Sequence, residues 1–362
     1  MQHPNSPATF ERSYPLDFLK ILATIIIVFH HFQQTTGITY EGTVNFYYGK
    51  FYFGYVVELF FVLSGFFMLR YIKKIQNGLS FQEFYLKRAF RLLPLVACSA
   101  IVYEVLLEVY HFLYRTSWFD VEVTLFGVLT TSLGIQSGWA FSNPSVNNPV
   151  WYISVLLLCY AVFYLLTRFH GKIPVVYLYL AMIFLGCGIC TYGINLPFLN
   201  ASSARGYYSF FTGVLLALAL DHWKVTAKRV CLCLFNIVLI VGLIIVKYAY
   251  VERDLVFLLT FVLYPSIIVI FQTDFVKRLF SHPFWGLWGK ISYDVFIWHN
   301  PMYLAMYIVM KLFSWEIDFT HISSMYIYCL VAEIVGVLSY YFLEQPINRF
   351  VKKHFEKQTA TT

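Results

Sequence analysis

Leu16-Asp17-Phe18-Leu19-Lys20-Ile21-Leu22-Ala23-Thr24-Ile25-Ile26-Ile27-Val28-Phe29-His30-His31 is a row of aliphatic and aromatic residues broken by only five polar ones. An apolar run of about 20 residues crosses a bilayer as a helix, at ~1.5 Å per residue. The helical period then decides which side chains share a face. Lys20 and His31 are eleven residues apart, about three turns plus 20°, so they lie on one face roughly 16 Å apart along the axis. Thr24 and Gln34 extend that stripe, with Ile27 between them, and His30 points about 100° away. Ionisable groups inside a span are costly, and each is a functional hypothesis. Lys20 reads either as a lysine snorkelling from the helix end or as a cation facing the bundle. His31 reads either as an interfacial imidazole bonded to a carbonyl or as a general base, since imidazole titrates near neutral pH.

The same composition continues along the chain. Of 362 residues, 59% are hydrophobic and 12% charged, about half the charge of a soluble domain. This excludes a soluble globular enzyme, a disordered chain and a secreted disulfide scaffold. Apolar runs occur at 16–33, 53–72, 92–113, 150–167, 174–193, 206–221, 230–250, 254–272, 291–313 and 323–343. A shorter run at 121–135 opens beside Asp120 and Glu122 and suits a re-entrant or interfacial piece. The expected fold is an all-α polytopic membrane protein of about ten transmembrane helices, because helices satisfy their own backbone in lipid. Residues 1–351 read as one transmembrane domain and 352–362 as a short polar tail.

The net charge of +7 bears on orientation, because Lys and Arg concentrate in cytoplasmic loops. The segment from Arg70 to Arg91 is the most basic, so it is expected inside, together with both termini. If 121–135 does not cross, Arg168–Lys172, Lys224–Arg229, Lys277–Lys290 and the tail also fall inside. If it does cross, the basic loops at 224–229 and 277–290 change sides. The expected location is the plasma or inner membrane, multi-pass. The first apolar run lacks a small-residue cleavage site and is expected to remain as a span. Cys187 and Cys190 have the spacing of a redox or metal motif, but lie in an apolar run where cysteine packs as a small residue.

Other polar groups mark further positions. Glu58 lies near the outer end of the second span, where it faces water or steadies His31, and Ser64-Gly65 offers a close-packing step. Arg70, Lys73, Lys74, Lys87, Arg88 and Arg91 form a dense cationic loop. It serves either positive-inside topology and anionic lipid, or a phosphorylated cofactor held by arginine forks. Asn148, Trp151 and Tyr152 open the fifth span, and Arg205 opens the seventh. These amide-rich, aromatic edges fit either an aromatic belt or sugar hydroxyls. His299-Asn300-Pro301 inside a span implies a kink and a buried polar group.

In combination these blocks resemble the acyltransferase-3 family of integral membrane O-acyltransferases. The resemblance rests on Leu16-Asp17-Phe18-Leu19-Lys20 followed by His31, and on Glu58 through Ser64-Gly65-Phe66. It continues with Phe84, Lys87, Arg88, Arg91 and Pro94, then with Asn148-Pro149-Val150-Trp151-Tyr152-Ile153. Gly289-Lys290-Ile291-Ser292-Tyr293 through Pro301 and a closing Glu344-Gln345-Pro346 complete it. Lys20 stands where the family has Arg, and Leu156 stands where many members carry Glu. The family's usual core of ten helices agrees with the count reached from the charges.

The resemblance implies transfer of an acyl group, usually acetyl, from cytoplasmic acyl-CoA to a hydroxyl of a cell-envelope carbohydrate at the outer face. His31, Lys20 and Glu58 would be catalytic. Arg70, Lys73, Lys74, Lys87, Arg88, Arg91 and Ser64 would bind the acyl-CoA donor. Asn148, Trp151, Tyr152, Arg205 and His299 would bind the acceptor, with no metal expected. The competing reading is a transporter or flippase for a polysaccharide or lipid-linked sugar. That class needs no CoA site and pairs its ions near the midplane.

Overall fold

The computed structural model describes residues 12–118, 125–140, 146–246, 253–350 and 353. In chain order the helices are α1 (Tyr14–Thr36), α2 (Val56–Phe66), α3 (Leu69–Gln76), α4 (Phe81–Tyr114), α5 (Leu125–Ser132), α6 (Trp151–Arg168) and α7 (Val175–Tyr192). There follow α8 (Ala201–His222), α9 (Ala227–Val246), α10 (Arg253–Leu258), α11 (Tyr264–Phe271), α12 (Asp274–Leu279), α13 (Pro283–Phe313) and α14 (Ile322–Ser339). The described residues form no strand; an isolated bridge joins Leu196 and Leu199. The protein is an all-α polytopic membrane protein.

Each of the ten expected apolar runs falls on a helix or a helix pair. Six are long and apolar enough to cross a bilayer: α1, α4, Asn148–Arg168, α7, α9 and Ile322–Phe350. Phe53–Phe66 and Leu69–Gln76 together add a seventh as one span bent by 43°. α8 and α13 are 22 and 31 residues long but carry polar side chains at Arg205, Ser209 and Thr212, and at Lys290, Asp294 and His299. Within 121–135 the described helix is α5, of 8 residues, about 12 Å long and too short to cross. Residues 121–124 and the tail beyond Lys353 lie outside the described residues.

Local chemistry sets the ends and breaks. α1 starts with Pro15 in its first turn and stops at Gly37, whose φ of 70° continues the chain left-handed. Ser80 caps α4 by accepting from the Glu83 amide at 3.1 Å. Two π turns, Leu259–Leu263 and Tyr340–Glu344, come just before Pro265 and Pro346. A missing proline N–H interrupts the hydrogen-bond ladder there.

Two packing interfaces position the site. α1 lies against α13, which also meets α4 and α14. α2 lies against α8 at a separation that only glycine allows. A Cβ on Gly65 would stand 1.9 Å from the Phe210 carbonyl oxygen, and one on Gly213 would stand 1.9 Å from that of Val62. Cys187 and Cys190 lie on α7 and form no disulfide with each other.

Candidate active site

The loop after α1 folds back over the helix end through Gln33, which is fully buried. Its amide nitrogen donates to the Ile38 carbonyl at 3.2 Å and to Asn45 Oδ1 at 2.7 Å. Its oxygen accepts from the amides of Phe46 at 2.5 Å and Tyr47 at 3.2 Å. His30 sits under this loop, 2% exposed, and its Nδ1 donates to the Phe46 carbonyl at 2.9 Å. The rings of Tyr47 and Tyr52 meet it edge-on. His30 is thereby committed to holding the loop.

His31 turns the other way, toward α13. Its Nδ1 is 2.8 Å from Nε2 of His299, and the two rings meet edge to edge and nearly coplanar, with centroids 5.0 Å apart and planes 11° from parallel. His299 is buried, and its own Nδ1 is 2.8 Å from the Phe296 carbonyl oxygen. The Tyr328 hydroxyl on α14 donates to the His299 carbonyl.

Pro301 explains the neighbouring loop. It lacks the N–H that would bond the Ile297 carbonyl one turn earlier. Asn147 supplies that donor instead, with its side-chain nitrogen 2.9 Å from the Ile297 oxygen. Asn147 is fully buried, so the segment leading into α6 is pinned to α13 one turn before Pro301.

These elements enclose a cleft of about 460 Å³. His31, Gln34 and Thr35 line it from α1, Tyr103 and Tyr110 from α4, Asn300 from α13, and Asn148 and Pro149 from the lead-in to α6, with Ser117 and Trp118 closing it. Amides, hydroxyls and aromatic faces around one imidazole suit a polyol against rings, with a base at one of its hydroxyls.

The other end of α1 is ionic. Asp17 is buried and takes Arg12 at 2.6 Å and Lys20 at 3.0 Å. Lys20 also stands 4.7 Å above the Phe67 ring, at the break between α2 and α3, with Arg91 within electrostatic reach. The cations expected in a loop lie on helices, Arg70, Lys73 and Lys74 on α3 and Lys87, Arg88 and Arg91 on the first turns of α4, and Arg70, Lys74 and Arg88 face the Tyr71 ring at 5.1, 5.7 and 4.1 Å. Arg88 is the committed member. Its guanidinium stacks 3.7 Å from the Phe84 ring centroid and donates to the Phe84 carbonyl and the Met68 sulfur. Lys73, Lys87 and Arg91 are exposed.

A family profile described as an acyltransferase domain matches residues 14–343, from the first turn of α1 to the π turn after α14. The chain belongs to this acyltransferase family. No curated protein and no solved structure matches it to a significant degree. It is a membrane acyltransferase, and its matched region holds both the ionic end of α1 and the His31 cleft. Among the described residues the acyltransferase has no cluster of three His, Cys, Asp or Glu side chains able to hold a metal.

The remaining sequence-derived site residues of the acyltransferase separate. Sequence reasoning leaves Glu58 either facing water or steadying His31, whereas the structure buries it against Arg205. Arg205 grips it with a fork, Nε to Oε1 at 2.5 Å and Nη2 to Oε2 at 2.9 Å. Tyr208 adds a third bond at 3.2 Å. The cause is the glycine contact, which brings α2 onto α8. Arg205 also stacks 4.7 Å from the Trp151 ring. Ser64 and Tyr152 meet each other, hydroxyl to hydroxyl at 3.1 Å. Thus Asn148 lines the cleft with His31, while Trp151, Tyr152 and Arg205 pack behind it. Tyr103 and Tyr110 were absent from the sequence-derived set. Their spacing of seven residues, which puts two tyrosines on one face of α4, is the signal that finds them.

Proposed function

We propose that the protein transfers an acyl group, acetyl in the simplest case, from cytoplasmic acyl-CoA to a hydroxyl of a cell-envelope carbohydrate at the outer face. In this reading ten helices cross the plasma or inner membrane, both termini are cytoplasmic, residues 1–351 form one domain and 352–362 a tail. The observation that carries it is His31 in the wall of a cleft lined by Asn148, Asn300 and Tyr103, on the helix whose other end carries Lys20 within electrostatic reach of Arg91.

The exposed cations Arg70, Lys73, Lys74, Lys87 and Arg91 hold the phosphates of the donor, with Arg88 shaping that surface. The pantetheine arm runs past Lys20 and Ser64 along α1 and brings the thioester to the cleft. The acceptor lies against Tyr103 and Tyr110, with Asn148 bonding its hydroxyls. As the acceptor oxygen attacks the thioester carbonyl, its proton passes to His31. The new C–O bond forms, the C–S bond breaks, and the leaving sulfur takes the proton back as the CoA thiol. Trp151, Tyr152, Glu58 and Arg205 form the rigid wall behind the acceptor.

The test is mass spectrometry of envelope glycans from cells with the gene, without it, and with His31→Ala at matched expression. An acyl mass present only with the wild-type gene is the expected result. Identical glycans in all three strains would sink the proposal.

A further inference from the structure

We infer that His299 is a positioning residue, which fixes the tautomer of His31 so that the bare nitrogen of His31 faces the cleft. This rests on the reading of His31 as the base. It also removes His299 from the acceptor-binding set, because His299 is buried behind His31 rather than exposed to the acceptor.

A backbone oxygen only accepts, and the Phe296 oxygen lies 2.8 Å from His299 Nδ1, with the Val295 carbonyl beside it. Nδ1 of His299 therefore carries hydrogen. A neutral imidazole has one N–H, so Nε2 of His299 carries a lone pair. That lone pair faces His31 Nδ1 at 2.8 Å, and two lone pairs cannot face each other at that distance. Nδ1 of His31 therefore carries hydrogen and donates, which leaves its Nε2 bare. The tautomer is read from the hydrogen-bond network, in which only one assignment satisfies all partners.

The neutral assignment fits the surroundings. Among the described residues no carboxylate pairs with either ring. The titratable groups facing the two imidazoles are His30 on α1, Tyr103 and Tyr110 on α4, and Tyr328 on α14. When His31 takes the acceptor proton, its Nδ1–H donates to His299 as a charge-assisted bond, which strengthens in the charged state. A third group that orients the base performs the same task in hydrolase triads. Here the task falls to an imidazole anchored on a carbonyl, beside the Ile297 carbonyl that Asn147 bonds in place of the missing Pro301 N–H.

Two polar substitutions separate positioning from bulk structure. In His299→Gln the longer amide places an oxygen where Nε2 stands, within reach of the His31 Nδ1–H. In His299→Asn the amide reaches the Phe296 carbonyl but not His31. Transfer is measured on purified, monodisperse protein in liposomes with acetyl-CoA inside and an oligosaccharide acceptor outside. The expected result is a kcat for His299→Asn at least about tenfold below that of His299→Gln, with KM for both substrates little changed. The acid limb of the pH–rate profile should move in His299→Asn only. Equal kcat in the two variants, or a limb that stays in place in both, overturns the inference. A His31→Ala protein as active as wild type would instead overturn the assignment of the base, so the two failures are distinguishable.

Discussion

Glu58 on α2 holds Arg205 on α8 with two parallel hydrogen bonds, Nε to Oε1 at 2.5 Å and Nη2 to Oε2 at 2.9 Å. The carboxylate is fully buried, whereas the arginine side chain is 27% exposed. Removing one partner of such a pair leaves the other charged and unmatched. Glu58→Gln should therefore destabilise the protein by about 3 kcal/mol, the low end of the range for buried pairs because Arg205 reaches solvent. Combining it with Arg205→Gln should recover part of that loss. Thermal unfolding in detergent of both singles and the double variant decides it. Strictly additive losses would mean the fork contributes no coupling.

A second coupling crosses from the loop to α13. Asn147 donates to the carbonyl that Pro301 leaves without its helical partner. Asn147→Leu should cost about 1–3 kcal/mol, the penalty for stranding a buried acceptor. It should also slow transfer, since the same segment carries Asn148 into the cleft. In a Pro301→Ala background the helix regains the N–H, and Asn147→Leu should cost markedly less. Equal costs in the two backgrounds would rule out this account of the Asn147–Ile297 bond.

These two relationships mark what the chain discloses before it folds. The face shared by Lys20 and His31 is legible because helix period alone decides it. So are the buried polar group at His299 and the carbonyl that Pro301 leaves free one turn earlier, because proline chemistry is local. The meeting of His31 with His299 joins residues 268 positions apart and depends on α1 packing against α13, which no periodicity encodes. The partner of Glu58 is hidden for the same reason. Gly65 and Gly213 permit the close approach of α2 to α8, but a glycine in a span does not name its neighbour. Arg88 lies between these cases. Phe84 is one turn before it on the same helix face, so a stacked rather than a free guanidinium was readable from spacing.

The two loop arginines should therefore behave differently. Arg91 is exposed beside Lys20, and as a phosphate contact it is worth on the order of 1.5–3 kcal/mol. Arg91→Ala should weaken acyl-CoA binding about tenfold or more. Arg88→Ala removes the stack on Phe84 and Tyr71, so it should lower the unfolding temperature more than it changes CoA affinity. Calorimetric titration of CoA into both purified variants provides the check. Unchanged affinity in Arg91→Ala would return the loop to lipid contact or topology.

The orientation has its own test. In a background without the native cysteines, Asn77→Cys lies in the exposed turn after α3, and Glu316→Cys lies in the exposed loop before α14. A membrane-impermeant maleimide added to intact cells should label Glu316→Cys and spare Asn77→Cys. The reverse pattern would place the cationic loop outside, away from cytoplasmic acyl-CoA, and the donor path along α1 would fall with it.

The two adjacent histidines give the sharpest contrast. They share chemistry and position in the chain, and differ only in what surrounds them. His30 donates to the Phe46 carbonyl beneath the folded loop, so His30→Ala loses about 1 kcal/mol of hydrogen bonding and should keep most transfer. His31 lines the cleft, and removing a general base costs about 10²- to 10⁴-fold in rate. His31→Ala should therefore abolish detectable glycan acylation at matched expression. A protonated imidazole cannot accept the hydroxyl proton, so wild-type transfer should fall as pH drops through the titration of His31. The loss should be reversible, because only a proton has been added. Should His31→Ala stay active, or His30→Ala go silent while still folded, the base lies on the other face of α1, and both the cleft and the path from Lys20 would need another purpose.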